Sequence, residues 1–320
     1  MKLKTNFKME IWDMKKVMFY AALLLALLAL PAASAAAEGG LRVVATDFPC
    51  YDFARQVCGD GTDVTMLLKP GTEAHAYDPT PADILAIGDA NLFVYIGGES
   101  DAWADGILAS FDSDDRPATL RMMDCVSDLV EEDDADGHHH GESTPEYDEH
   151  IWTSPVNAAA MVRALGEAVA GLDGADADGC RQAAEAYAEQ IEGIDGALRQ
   201  LVEGAKRRNV VFADRFPFIY LAREYGLDWQ AAFPSCTADT EPSAQTVMAL
   251  IDRVISEGIP AVYTIELSTQ AVAKTVAEET GAEILTLHSM QSVTQDEFEA
   301  GESYVSLMGR NLEALRRGLE

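Results

Sequence analysis

The stretch DGCRQAAEAYAEQIEGIDGALRQLVEGAKRR, residues 178–208, decides how the rest of the chain is read. Ala184, Tyr187, Ile191, Ile194, Leu198 and Leu201 recur at helical spacing, and no proline interrupts them. About thirty residues at 1.5 Å each make a helix about 45 Å long. That exceeds most globular helices and suits an element bridging two lobes. On its N-terminal side, the short β-rich runs 41–46, 63–68 and 91–96 alternate with helical patterns at 47–57, 81–89 and 103–111. A further helix is expected over 157–172. On its C-terminal side, runs at 209–213, 227–233, 261–265 and 283–287 alternate with helices at 218–225, 243–257 and 270–280, and a last helix covers 303–319. Strands alternating with helices imply parallel βαβ units. The expected fold is therefore α/β: two lobes with parallel sheets, 37–177 and 209–320, joined by one long helix over 178–208.

The composition narrows the function. The 320 residues include 54 Asp+Glu against 23 Lys+Arg, a formal charge of −31. Hydrophobic residues make up 48%, too many for a disordered polymer. Nucleic acid is excluded as a partner, because a phosphate backbone demands a basic face. Lys15 and Lys16 precede an apolar run, Val17 to Leu30, and Pro31 and a run of small residues follow. This order marks residues 1–36 as a secretory signal peptide, with an apolar run shorter than the roughly 20 residues of a membrane span. No cysteine lies near the small-residue site, so no lipid attachment is expected. The mature protein is expected to be an exported monomer, in the periplasm or at the outer face of the cytoplasmic membrane. Five cysteines remain; without a CxxC pair they read mostly as small buried hydrophobes.

The chain has six histidines. His138, His139 and His140 sit in an acidic segment, 131–149, that lacks any apolar periodicity. They read as a secondary, weaker metal site on a loop. His75, His150 and His288 lie in or beside strand-to-helix connections. Ligands of open α/β sheets bind off the carboxyl ends of strands, so three such imidazoles could share one metal ion. No GxSxG, HExxH or P-loop motif is present, and no enzymatic activity is expected.

The segment Lys69-Pro-Gly-Thr-Glu-Ala-His75-Ala-Tyr-Asp-Pro-Thr-Pro-Ala-Asp83 resembles the first metal-ligand segment of the zinc/manganese (cluster A-I) solute-binding proteins of ABC transporters. Asp148-Glu-His150-Ile-Trp-Thr-Ser-Pro155 is similar to their second ligand segment, which in zinc-specific members also follows a His- and acid-rich loop. Phe218-Ile-Tyr220-Leu-Ala-Arg-Glu-Tyr-Gly-Leu227 resembles the helix after the third ligand. Glu241-Pro-Ser243 and the run Thr280 to His288 are similar to later landmarks. The resemblance covers roughly residues 41–319. It implies two lobes joined by a rigid helix, a divalent metal in the cleft, delivery to an ABC permease, and no catalysis.

Carried over by residue, the resemblance makes His75 and His150 ligands. The C-terminal lobe departs from the pattern. The third ligand position falls on Arg215, whose guanidinium does not deprotonate and cannot ligate. The fourth, usually Asp, falls on His288. Asp214 is a candidate for the remaining position, with Glu266 or water as alternatives. The expected cargo is Zn2+, ahead of Mn2+, which favours carboxylate and water ligands. The rival readings are a manganese or iron receptor of the same family, a three-His zinc hydrolase, and a surface adhesin.

Overall fold

A computed structural model describes residues 40–113, 116–131, 147–233 and 242–320. The expected leader at 1–36, the tract His138 to His140, Cys236 and Glu241 lie outside the described residues.

In the first lobe, β1 (Arg42–Ala45), β2 (Asp63–Met66), β3 (Leu92–Tyr95) and β4 (Ala118–Arg121) form one parallel sheet in the order β2-β1-β3-β4. Its register pairs Arg42 with Asp63, Val43 with Leu92, and Leu92 with Ala118. In the second, β5 (Asn209–Phe212), β6 (Asp228–Ala231), β7 (Ala261–Thr264) and β8 (Glu283–Thr286) repeat that arrangement as β6-β5-β7-β8. The central strands β3 and β7 are buried at every position, as a parallel sheet covered on both faces requires. Each lobe switches its strand order between its first and third strands. That places a crevice at the carboxyl ends of β1 and β3, where α/β sheets bind ligands.

Local sequence sets the helix ends. In α1 (Phe48–Cys58), Asp47 caps the Cys50 N–H at 3.2 Å, Pro49 occupies the first turn, and Gly59 at φ 66° stops it. The remaining first-lobe helices are α2 (Pro81–Gly88), α3 (Ala102–Ser110) and α4 (Pro155–Ala170), with a capping box of Thr80 and Asp83 on α2 and a Ser154 cap on α4. The long helix α5 is Ala177–Gly204, so it ends four residues before the expected 208. Beyond it come α6 (Ile219–Tyr225), α7 (Ala244–Glu257), α8 (Ala271–Thr280), a short α9 (Gln295–Glu299) and α10 (Tyr304–Leu319).

The face of α5 carrying Cys180, Ala184, Tyr187, Ile191, Leu198 and Leu201 is buried. It packs on α4, α1 and α10. A Cβ on Gly166 of α4 would lie 2.5 Å from the Ala184 Cβ, so the missing side chain sets how closely α4 and α5 approach. Each large side chain buried here contributes about 1.5–3 kcal/mol. A polar knot fixes the register: Tyr187 donates its hydroxyl to Asp52 Oδ2 at 2.5 Å, and the Tyr304 N–H donates to the same oxygen at 2.8 Å. The largest apolar core runs unbroken from Val43 and Phe53 through α5 to Phe212, Tyr263 and Leu319. The two sheets are thus tied by one continuous core rather than by a loose linker.

After β8 the chain crosses to the first lobe as a strap, residues 287–303. Val293 O accepts the Gly71 N–H at 2.7 Å, and Ser289 O accepts the Trp152 indole N–H at 2.7 Å. Leu287 N–H still donates to Thr264 O of the second lobe at 2.9 Å. Met290 holds the strap's turn at φ 64°, a left-handed conformation that is costly for a non-glycine residue. Among the described residues Cys50, Cys58, Cys125 and Cys180 are free thiols, and no helix is long and apolar enough to cross a membrane.

Candidate metal centre

His75 sits in a 3-10 turn (Ala74–Ala76) beyond β2, and Ser100 in another (Glu99–Asp101) beyond β3. Glu149 and His150 lead into a third turn, Ile151–Thr153, ahead of α4. These loops lie at the carboxyl end of the first sheet and converge. Ligand atoms of His75, Glu149 and His150 lie within 4.8 Å of one another, and the two imidazole centroids are 5.8 Å apart.

The hydrogen bonds assign the tautomers. Ser100 donates its hydroxyl to Glu149 Oε1 at 2.5 Å, and its backbone N–H donates to Oε2 at 2.8 Å. With its proton used this way, Ser100 Oγ accepts from His75 Nδ1 at 2.9 Å. His75 therefore carries its proton on Nδ1. Its Nε2 is a bare acceptor, buried and without a hydrogen-bond partner among the described residues. A buried acceptor left in this state is costly, and a cation relieves that cost. His150 Nδ1 faces Asp148 Oδ1 at 3.2 Å, which orients that ring to present Nε2 as well. Carboxylates that hold the far nitrogen of a ligating imidazole are a regular feature of metal sites. Tyr220 of α6 locks the turn, donating to Asp148 O at 2.7 Å and accepting the Val130 N–H at 3.1 Å.

The electrostatics favour the metal-ready form. Burial pushes the His75 pKa below its ordinary value, and His150 and Arg215 push the same way against Glu149 and Glu73. A neutral imidazole is what a metal ion needs. Beside the group lies a small pocket of about 20 Å³ lined by Asp47, Tyr77, Ser100, Asp101, Glu149 and Gln291 among others. Burial raises Asp101 to about 6, despite N–H groups from Gly97 and Ile96. It raises Asp47 further, with the neighbouring Asp101 charge adding.

His288 lies outside this group, so the three histidines expected to share one ion do not converge here. Its Nδ1 accepts the Met290 N–H at 2.9 Å, and its Nε2 faces Glu297 Oε2 at 3.5 Å. Both nitrogens are thus engaged inside the strap. Burial alone would lower its pKa, but Glu266 and Glu297 outweigh it and the value is raised. Asp214 is also elsewhere: Oδ1 accepts the Arg215 N–H at 2.9 Å and Oδ2 accepts the Ser268 hydroxyl. Arg215 pairs with Glu73 at 3.2 Å, close enough to His75 for its charge to be felt there. Glu149 was missed by the sequence reading, because one acid among 54 carries no distinguishing signal.

Two parallel α/β lobes around one core, with imidazoles and a carboxylate gathered at a switch point, define a two-lobed α/β protein with a donor set for a divalent cation. The family model for the periplasmic zinc-uptake complex component A, ZnuA, matches residues 43–318, and the chain belongs to that family. It is 33% identical over 316 residues to the zinc-binding lipoprotein AdcA of Streptococcus pneumoniae, covering 95% of this chain and 61% of that protein. It thus spans about six-tenths of the length of that relative. It is 30% identical over 281 residues to the high-affinity zinc uptake system protein ZnuA of Bacillus subtilis, covering 87% and 88% respectively. The solved Zn(II)-bound ZnuA-like domain of Streptococcus pneumoniae AdcA matches with a TM-score of 0.72 at 30% identity, over 88% of this chain and 99% of that one.

Proposed function

We propose that this protein is an exported receptor that captures Zn2+ through His75, His150 and Glu149 and passes it to an ABC-type membrane permease, without catalysing a reaction. The observation that carries the reading is the pair of oriented imidazoles beside a carboxylate, all within 4.8 Å. Two imidazoles and one carboxylate suit zinc at low coordination number. The fourth position falls to water, since Arg215 is a cation and Asp214 is bonded elsewhere. The names of the ZnuA and AdcA relatives support the cargo and the export route. The engagement of both His288 nitrogens in the strap supports the receptor reading over a three-imidazole hydrolase. Manganese is disfavoured by the two imidazoles. Elemental analysis of protein purified without a polyhistidine tag, followed by competition titration against a zinc chelator, tests the reading. One tightly held zinc per chain, lost in His75→Ala, is expected. A tight site unchanged by that substitution would overturn it.

A further inference from the structure

Gln291 lies on the strap, apart from the three donors, yet it touches the centre. Its Nε2 donates to Glu149 Oε1 at 3.1 Å, and both side chains are buried. Its backbone is fixed from both sides: Gln291 O accepts the Phe48 N–H at 3.5 Å, and Gln291 N–H donates to Ser289 Oγ at 3.2 Å. Ser289 is in turn held by Glu266 through its N–H at 2.7 Å and through its hydroxyl. The amide is therefore delivered by a rigid segment.

The consequence follows from counting lone pairs. Each carboxylate oxygen has two in-plane acceptor sites. Oε1 accepts from Ser100 Oγ and from Gln291 Nε2, so both are filled. Oε2 accepts only the Ser100 N–H among the described residues, so one remains. We infer that Gln291 is a specificity-determining residue that blocks Glu149 Oε1 and restricts this carboxylate to one-oxygen coordination of the captured ion. Zinc at low coordination number is content with one carboxylate oxygen. Larger, harder cations gain from more oxygen ligands, and manganese shares that preference. The strap thus discriminates against oxygen-loving cations through Glu149 rather than as a ligand.

This inference rests on the zinc-receptor reading and on Glu149 as a donor, and the test separates the two. Zinc and manganese affinities of the full chain are measured by competition titration for the parent, Glu149→Gln, Gln291→Leu and Gln291→Glu, with apo thermal midpoints as the folding control. Freeing Oε1 in Gln291→Leu is expected to lower the zinc-to-manganese affinity ratio roughly 10-fold. Gln291→Glu, which keeps the shape and adds an oxygen, is expected to lower it at least as far. A purely structural role for Gln291 would lower both affinities together and leave the ratio unchanged, and that result overturns the inference alone. Equal zinc affinity in the parent and Glu149→Gln would remove the donor itself and overturn both.

Discussion

His75 and His150 in the first lobe contrast with His288 in the strap. All three are largely buried histidines near carboxylates, and their roles diverge because of where the protons and lone pairs go. His75 gives its Nδ1 proton to a serine–carboxylate relay and keeps a bare Nε2. His288 spends its lone pair on a backbone N–H and points its other nitrogen at Glu297. Burial lowers the pKa of His75, whereas flanking carboxylates raise that of His288. The lesson is that histidine count and loop position do not identify ligands. What marks a candidate such as His75 is a buried nitrogen, Nε2, with no hydrogen-bond partner among the described residues.

The most severe test of this contrast is to remove one imidazole at a time. His150→Ala or His75→Ala is expected to weaken zinc by about 100-fold or more, near 2.8 kcal/mol at about 1.4 kcal/mol per decade. His288→Gln is expected to leave zinc within about 3-fold, a change below about 0.7 kcal/mol. Competition titration at pH 7 reads both, and a His288→Gln loss as large as that of His150→Ala would break the distinction. A step smaller is Ser100→Ala, which leaves His75 coordinates intact but removes the relay that sets its tautomer. Partners of this kind typically cost 10–100-fold in metal affinity, so about 10-fold weaker zinc is expected.

For His288 the expected loss is in stability, and it has a pH window. The raised His288 pKa contributes stability that is full below about 6.5 and is lost as pH rises through the folded value. The contact with His288 helps depress Glu297 to about 2, so its contribution is present above about 4.5 and fades as pH falls towards the folded value. The charged His288–Glu297 pair therefore supports the strap most between about pH 4.5 and 6.5, while the Met290 N–H bond to Nδ1, which needs the neutral ring, takes its place at higher pH. His288→Gln is expected to cost about 2 kcal/mol there, a few degrees in thermal midpoint. The deficit should shrink towards pH 8. A deficit that grew with pH would reverse the assigned sign.

Much of this was legible in the sequence, and the misses have physical causes. The period of the apolar residues reveals α5 and the βα rhythm, because burial of one face dictates both. β4 escapes because Ala118–Arg121 is a half-exposed edge strand with little apolar signal. α9 is too short for periodicity, although its capping box of Thr294 and Glu297 is a readable start signal. Of the expected ligands, His75 and His150 do come together, since each is placed by a short turn off one sheet. Glu149, Ser100 and Gln291 were invisible because their roles depend on contacts across 49 and 142 residues of chain. His288 lies apart from His75 and His150, and a loop histidine and a strap-bound histidine look the same in one dimension.

Arg215 provides the finest test, because it places a fixed positive charge close enough to His75 to push its pKa down. Its guanidinium pairs with Glu73 at 3.2 Å, and that acid is itself half-exposed, so the pairing is partly screened and worth little to stability. The residual charge repels a dication arriving at His75. At an effective dielectric near 80, two unit charges 8 Å apart interact by about 0.5 kcal/mol, and a doubly charged ion doubles this. The bridging Glu73 cancels part of that cost. Arg215→Gln is therefore expected to tighten zinc only about 2- to 5-fold, with the gain shrinking above 0.15 M salt as screening shortens the interaction. Glu73→Gln should do the opposite by leaving Arg215 uncompensated. Titrations of both variants at low and physiological ionic strength check the sign. If both variants shift affinity in the same direction, Arg215 and Glu73 act through packing of the loop that carries His75, and the charge argument fails.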